Sequence, residues 1–527
     1  MDGVYDRLDD DLEIQAKNNL VENLNGGQIR KFYRDKNILL TGSTGYIGKS
    51  VLEKLLRTCT DVGKIYVLIR EKHGLTIEER MAKCLKSLIF ETVRETNPEY
   101  AKHVIPIDGD LMKDGLGLSP EDRQTLVENV DIIIHNGATE YFEGKISRVL
   151  RANVLGTQKM IELASHCSHL RAFLYCSSAF SHCHEEHIQE KYYEQSVDLE
   201  VVYDVIKTDE ILKNGISQKS LCTLLGPWAN IYVFSKAIAE SLVKDFSMKA
   251  ACPVAIFRPS IVTSTYKEPI TGWCGNRNGP VAIFSALLLG LVHVLYWKTN
   301  HILDCIPSDM TANAFLAIAW DLAVNKKPKG KYVYNYATST LAPLRINDSF
   351  RLGNKFVGEC PTVKSFWYVY LFPVQNLFLF HVLNFNFHIV PMCIIDLMLL
   401  LRGQKPFILK TALKYYHHFS TSMSIASQGL AVEIKEMVNI WNLMDPVDQK
   451  EFFCDIRAIN WEEYFSTYWR GIRVYILNDP MHTLPLAEAR TKKLFYINCI
   501  AVPTLFILTT SMFLYFVYII GSWLWIF

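Results

Sequence analysis

Gly42, Gly45 and Gly48 recur at three-residue intervals between a short apolar run and an amphipathic helix, and few folds accept that arrangement. Residues 37–41 read as a buried first strand, and residues 49–58 carry Val51, Leu52, Leu55 and Leu56 at helical spacing. In the connecting Thr41-Gly42-Ser43-Thr44-Gly45-Tyr46-Ile47-Gly48, Gly42 permits a tight turn and Gly45 lets the backbone approach a pyrophosphate. Gly48 lets the helix pack closely on the strand, and the helix N-terminus offers unpaired N–H groups to phosphate. Further apolar runs follow at 65–69, 104–107, 132–134, 172–175 and 254–257, with helical patterns between most of them. That alternation predicts an α/β fold, a Rossmann-type doubly wound parallel sheet with helices on both faces.

At 527 residues, half of them hydrophobic, the chain is long enough for two or three units. Residues 1–36 lack periodicity and read as a tail. Residues 37–358 hold the dinucleotide-binding pattern, 359–480 read as a mainly α-helical C-terminal domain, and 494–527 as a C-terminal transmembrane helix. The 55 basic and 54 acidic residues balance to +1, which gives no field for nucleic acid. Thirteen cysteines without a C-x-x-C pair read as reduced thiols facing the cytosol. The acidic N-terminus lacks the pattern of a secretory signal peptide.

The second strand ends at Arg70, where NAD-preferring sites usually place an acidic residue. An arginine there suits the 2′-phosphate of NADPH, although a surface arginine at a strand end is the plainer reading. Asp110 and Leu111 follow the third strand, and Asn136-Gly137-Ala138 follows the fourth. Both fit a nucleotide site, and both are equally turn chemistry. Tyr232 and Lys236 stand four apart, on one face of a helix. An ammonium beside a phenol favours the phenolate and lowers its pKa. Ser178 follows the 172–175 strand at its carboxyl end, where ligands bind in open α/β sheets, and can donate to a substrate carbonyl. Arg258-Pro259-Ser260 ends a later strand near the expected nicotinamide. Asn153 either supports a link toward Lys236 or is an ordinary helix-interior amide. The run Ser181-His182-Cys183-His184-Glu-Glu-His187 has the composition of a metal site, but it reads as a polar loop past Ser178, and no metal is expected.

Residues 41–48, Ser177-Ser178, Tyr232 with Lys236, and Arg258-Pro259 resemble the extended short-chain dehydrogenases. Other stretches are similar more specifically to the fatty acyl-CoA reductases. They are Tyr66-Val-Leu-Ile-Arg70, Leu116-Gly-Leu-Ser119, residues 135–142, Asn153-Val-Leu-Gly-Thr157, Glu268-Pro-Ile-Thr-Gly-Trp273, Asn278-Gly-Pro280 and Ile306-Pro-Ser-Asp-Met310. Pro391-Met-Cys-Ile-Ile-Asp396 resembles the start of that family's C-terminal domain. The resemblance implies NADPH-dependent reduction of long-chain acyl-CoA to primary alcohol, in two hydride transfers and with no metal. Ser178 stands where the family often has Thr, Gly137 where it has Ala, and Gly275 where Asp is common. A membrane-bound steroid or sterol dehydrogenase of the same superfamily, or a catalytically inactive membrane scaffold, are the competing readings.

Residues 494–527 contain no Lys, Arg, Asp or Glu. At about 1.5 Å per residue a helix of that length exceeds a hydrocarbon core of roughly 30 Å, yet it is too short for two spans. The expectation is one span over 506–527, with Pro503 marking where the chain meets the membrane and Trp523 and Trp525 near the far interface. Arg490, Lys492 and Lys493 on the near side put the catalytic domain in the cytosol, with the endoplasmic reticulum preferred over the peroxisome. Residues 366–401 are nearly uncharged but interrupted by Pro373, Asn376, His381, Asn384, Asn386, His388 and Pro391. They read as a buried or membrane-facing lid around the acyl tunnel. A homodimer stays open.

Overall fold

Ile38 and Leu40 face one apolar core while Leu39 between them faces another, and the same alternation holds for Ile132, Ile133 and Ile134. Strands that alternate between two buried faces require helices on both sides of the sheet. The computed structural model describes residues 27–140, 145–194, 197–277, 279–297, 301–325, 328–411, 413 and 429–526. Within it, strands β1 (Ile38–Thr41), β2 (Ile65–Ile69), β3 (Val104–Asp108), β4 (Ile132–His135), β5 (Ala172–Cys176), β6 (Val254–Pro259) and β7 (Val333–Tyr336) form one sheet. The order is β7-β6-β5-β4-β1-β2-β3, with every pair parallel. Ile38 lies opposite Ile65 on one side and Ile132 on the other. The strand order therefore reverses between β1 and β4, which opens a crevice at their carboxyl ends.

Helix α1 (Tyr46–Thr58) starts at the glycine loop, earlier than the apolar spacing alone placed it. Helix α2 (Ile231–Lys249) carries Tyr232 and Lys236. Helix α3 (Ser308–Val324) is buried along nearly its whole length, because it packs on α1 and on the sheet. The expected tail ends too late at residue 36. Gln28–Tyr33 is a helix whose Ile29 and Tyr33 are fully buried, and the Tyr33 hydroxyl donates to the Leu316 carbonyl at 3.0 Å. The rest of that tail, residues 1–26, lies outside the described residues.

The proposed division at 358/359 does not separate two cores. Leu52 of α1 and Trp469 of helix α5 (Trp461–Gly471) belong to one apolar cluster, and Ala431–Val432 pairs in parallel with His187–Ile188. Tyr464 on α5 meets Thr263 Oγ1 at 2.6 Å, just beyond β6. Between these, helix α4 (Leu377–Leu401) is largely exposed. The last helix, α6 (Leu484–Ile526), is long, apolar and exposed.

α6 runs from Leu484 through Pro503. A proline inside an apolar helix is tolerated where breaking the helix would leave more backbone groups unpaired away from water. Trp523 and Trp525 lie beyond the described side chains, and Phe527 beyond the described residues.

Candidate active site

A cleft of about 900 Å³ opens at the β1–β4 switch point. Its floor is the glycine loop, from which Thr41, Gly42, Thr44, Gly45, Tyr46 and Ile47 face it. Gly42 sits at φ +74°, and a side chain there would press on the backbone of Gly137 at 3.0 Å, so only glycine fits. Gly48 does not reach the cleft. It packs directly on the Gly42 carbonyl, which brings α1 close to β1. The Thr41 hydroxyl accepts from Gly137 N–H at 2.8 Å and pairs with His135 Nδ1 at 2.9 Å. Burial and then the Lys236 charge lower His135 to about 3, so its neutral ring ties the two loops together. Asn136, Gly137 and Ala138 line the cleft as a result.

At the adenosine end Arg70, Asp110 and Leu111 face the cleft. Arg70 and Asp110 form an ion pair at 3.0 Å, and Asp110 also accepts from Met112 N–H at 3.0 Å. Arg80 and Lys72, which the sequence reading missed, line the same end, and an Arg80 N–H donates to the Arg70 carbonyl. Burial, then the neighbouring Arg70 charge, lowers Arg80 from its ordinary pKa. A signal for Arg80 existed: the Thr76–Glu79 capping box starts a helix just past β2, with Arg80 in its first turn.

At the other end Ser178, Tyr232 and Lys236 share the cleft wall with Pro259 and Ser260. Ser178 Oγ accepts from Phe180 N–H at 3.2 Å, which leaves its own proton to donate. Lys236 donates to the Cys176 carbonyl at 2.6 Å and sits 4.8 Å from the Tyr175 ring centre. Burial lowers Lys236. The expected lowering of Tyr232 by Lys236 is not what this geometry gives: burial, followed by the negative charge of Glu140, pushes Tyr232 well up. A phenol that keeps its proton at neutral pH is a donor, the role that a reduction needs.

Two expected cofactor residues lie behind the wall. Asn153 holds Thr139, accepting from its N–H at 2.8 Å and donating to its carbonyl at 3.1 Å, and donates to Ser235 Oγ at 2.9 Å. Its amide is therefore spent on the loop after Ala138. Arg258 is fully buried and turned away from the nicotinamide end. It donates to both oxygens of Glu240, at 2.9 and 2.5 Å, and to the carbonyls of Gln189 and Lys191 at 3.1 Å. The expected polar loop is also part of this buried network. Ser181 and His182 are almost inaccessible, and His182 Nε2 meets Glu240 at 2.9 Å. Ser177 donates to the same carboxylate at 2.5 Å. Burial alone would raise Glu240, but Arg258 and then His182 outweigh it and hold the carboxyl well below the usual range.

Two observations fit a nicotinamide dinucleotide in this cleft. Ser260 Oγ and Asn276 Oδ1, both on the wall, are buried without a hydrogen-bond partner among the described residues. The cationic side chains of Arg70 and Arg80 stand at the opposite end.

The sheet order, the glycine loop and the Ser–Tyr–Lys wall define an extended short-chain dehydrogenase/reductase fold with a dinucleotide cleft. Comparison with known proteins narrows this. Residues 40–315 and 387–479 both match family profiles described as male sterility protein. The chain is 34% identical to fatty acyl-CoA reductase 1 of Rattus norvegicus over 467 residues, covering 88% of this chain and 89% of the relative. It is 32% identical to fatty acyl-CoA reductase wat of Drosophila melanogaster over 466 residues, with the same coverage. This chain belongs to the fatty acyl-CoA reductase family. Among solved structures, the terminal R domain of the myxalamid PKS-NRPS pathway aligns with a TM-score of 0.55 at 19% identity, covering 85% of this chain and 93% of that one. A nonribosomal peptide synthetase R domain from Mycobacterium tuberculosis aligns with a TM-score of 0.56 at 16% identity, covering 86% and 94%. At those identities the likeness is one of fold.

Proposed function

We propose that this chain reduces long-chain fatty acyl-CoA to the primary alcohol at the expense of two NADPH. The observation that carries this reading is the meeting of Ser178, Tyr232 and Lys236 on one wall of the cleft that the glycine loop floors. NADPH supplies the hydride in each of two reductions. In the first, Ser178 and Tyr232 donate to the thioester oxygen as negative charge develops on it, a preorganised pair of the kind that usually carries much of the rate. The resulting hemithioacetal collapses, its carbon–sulfur bond breaks, and CoA leaves as the thiol while the aldehyde stays bound. In the second, Tyr232 gives its proton to the alkoxide oxygen and is reprotonated from solvent. Lys236 holds the ribose hydroxyls and the Cys176 carbonyl together. Gly42, Gly45 and the start of α1 bind the pyrophosphate, and Arg70 with Arg80 takes the 2′-phosphate.

The phosphate assignment gives a cofactor test. Arg80→Gln removes one charge-assisted contact of about 1.5–3 kcal/mol, so KM for NADPH should rise about ten- to a hundredfold while NADH use is unchanged. Equal NADPH kinetics in the variant and the parent would remove Arg80 from the site. The same reading makes α6 the membrane anchor, with the catalytic cleft on the cytosolic side of the endoplasmic reticulum. Incubating membranes that contain the protein with NADPH and a panel of acyl-CoAs, and analysing the lipids, tests the function directly.

A further inference from the structure

Two of the polar residues that interrupt the apolar stretch before residue 401, Asn386 and His388, are buried, whereas Asn376 and His381 are exposed. Asn376 caps α4, accepting from Leu379 N–H at 2.9 Å. Asn384 pairs with His388 Nδ1 at 2.6 Å, and His388 Nε2 accepts from His293 N–H at 2.7 Å. Asn386 donates to the Val382 carbonyl at 2.8 Å and accepts from the Thr509 hydroxyl of α6 at 2.5 Å. Most of the large side chains left outside are apolar. Phe378 is 79% exposed and Leu401 80%, and Leu377, Phe385, Leu397, Met398 and Leu400 are about half exposed. A helix that offers this many large apolar side chains departs from the pattern of a helix facing water.

We propose that α4 is a second bilayer-embedded element, packed on α6, so that the protein is held by a helix pair and not by its C-terminal helix alone. The inference rests on the membrane reading of α6 given above. Three observations favour lipid over a protein partner. α4 and the segment ahead of it pack on α6: Thr509 bonds Asn386 of α4, while before the helix Trp367 Nε1 donates to Asn498 Oδ1 at 2.6 Å and Tyr368 packs on Phe495 with ring centres 5.2 Å apart. Whatever covers α6 therefore meets α4. A polar pair, Asn386 with Thr509, lies between the two helices, as in helix pairs within a bilayer. Basic residues flank both helices, with Arg402, Lys405 and Lys410 after α4 and Arg490, Lys492 and Lys493 near the start of α6. These suit anionic headgroups. At 25 residues, α4 is about 38 Å long, enough to reach through most of a hydrocarbon core. Its inner side packs on the Val294–Tyr296 ribbon, a short way along the chain from Gly279 and Pro280 of the cleft.

Native thiols provide the test in the unaltered chain. Cys393 on α4 and Cys222 on the helix Gln218–Leu225 are both exposed in the protein. In vesicles of phosphatidylcholine and phosphatidylserine, a charged, membrane-impermeant maleimide should modify Cys222 at least about tenfold faster than Cys393. A photoactivated carbene carried on a phospholipid acyl chain should insert into residues 377–401 and not into residues 218–225. Similar labelling of the two thiols overturns the proposal. Protection of Cys393 without carbene insertion into 377–401 overturns it too, because a protein surface would then be the cover. Carbonate extraction of the same vesicles separates the two readings: release of the whole protein refutes the membrane reading of α6, whereas retention with a reactive Cys393 refutes only the role of α4.

Discussion

Tyr232→Phe is expected to lower alcohol formation by about 10²–10⁴-fold, the usual worth of a positioned general acid, while NADPH affinity stays within about twofold. The substitution removes one oxygen and keeps the ring, which is half-buried on the cleft wall beside Val233. Because burial and Glu140 hold the phenol well above its ordinary pKa, the group acts as a donor across the neutral range. Loss of the hydroxyl therefore affects both the oxyanion in the first reduction and the alkoxide in the second. Lys236→Ala differs in kind, since it releases the Cys176 carbonyl and the cofactor ribose together, so KM for NADPH and kcat both change. Steady-state kinetics with a fluorescence titration of NADPH distinguishes the two variants. Retention of most of the activity in Tyr232→Phe would assign the proton to another residue.

Arg258→Met is expected to destabilise the protein by about 3–5 kcal/mol, because it leaves the Glu240 carboxylate buried without its guanidinium partner. The double variant Glu240→Gln, Arg258→Met should recover much of that loss, since two neutral groups of similar shape can replace a buried pair at little net cost. Urea unfolding of the solubilised protein measures both. An additive loss in the double variant would mean that the two side chains act independently, contrary to the bonds between them. The effect on activity should be smaller and indirect. Glu240 holds Ser177, and Lys236 holds Cys176, so the two residues before Ser178 are fixed to α2 from separate points.

The parts of the fold that local pattern determines were legible in the chain. Six of the seven sheet strands are short apolar runs, and the glycine spacing marked the turn between β1 and α1. β7 was not legible, because Val333-Tyr-Asn-Tyr336 includes Asn335, whose amide is paired through contacts with Ile188 and Glu433 that only the folded chain brings near. In the site, spacing identified Tyr232 and Lys236 but not the third member of the same stripe, Glu240, four residues on. Arg258 was misplaced for the same reason: a strand end says which residues are near a ligand, but not which side of the strand each side chain takes. Asn153 was misplaced because its partners, Thr139 and Ser235, lie far from it in sequence. The polar residues of α4 misled in the opposite direction. They looked like interruptions because composition counts them without showing that two of them, Asn386 and His388, are buried against their partners.

The measurement that bears most directly on the function is product analysis with stoichiometry. Vesicles carrying the full chain, supplied with NADPH and long-chain acyl-CoA, should yield one primary alcohol and one free CoA thiol for each two NADPH oxidised, with NADPH preferred to NADH. Turnover of sterols without consumption of any acyl-CoA, or no NADPH oxidation with any acyl-CoA in a folded, membrane-bound protein, would contradict it.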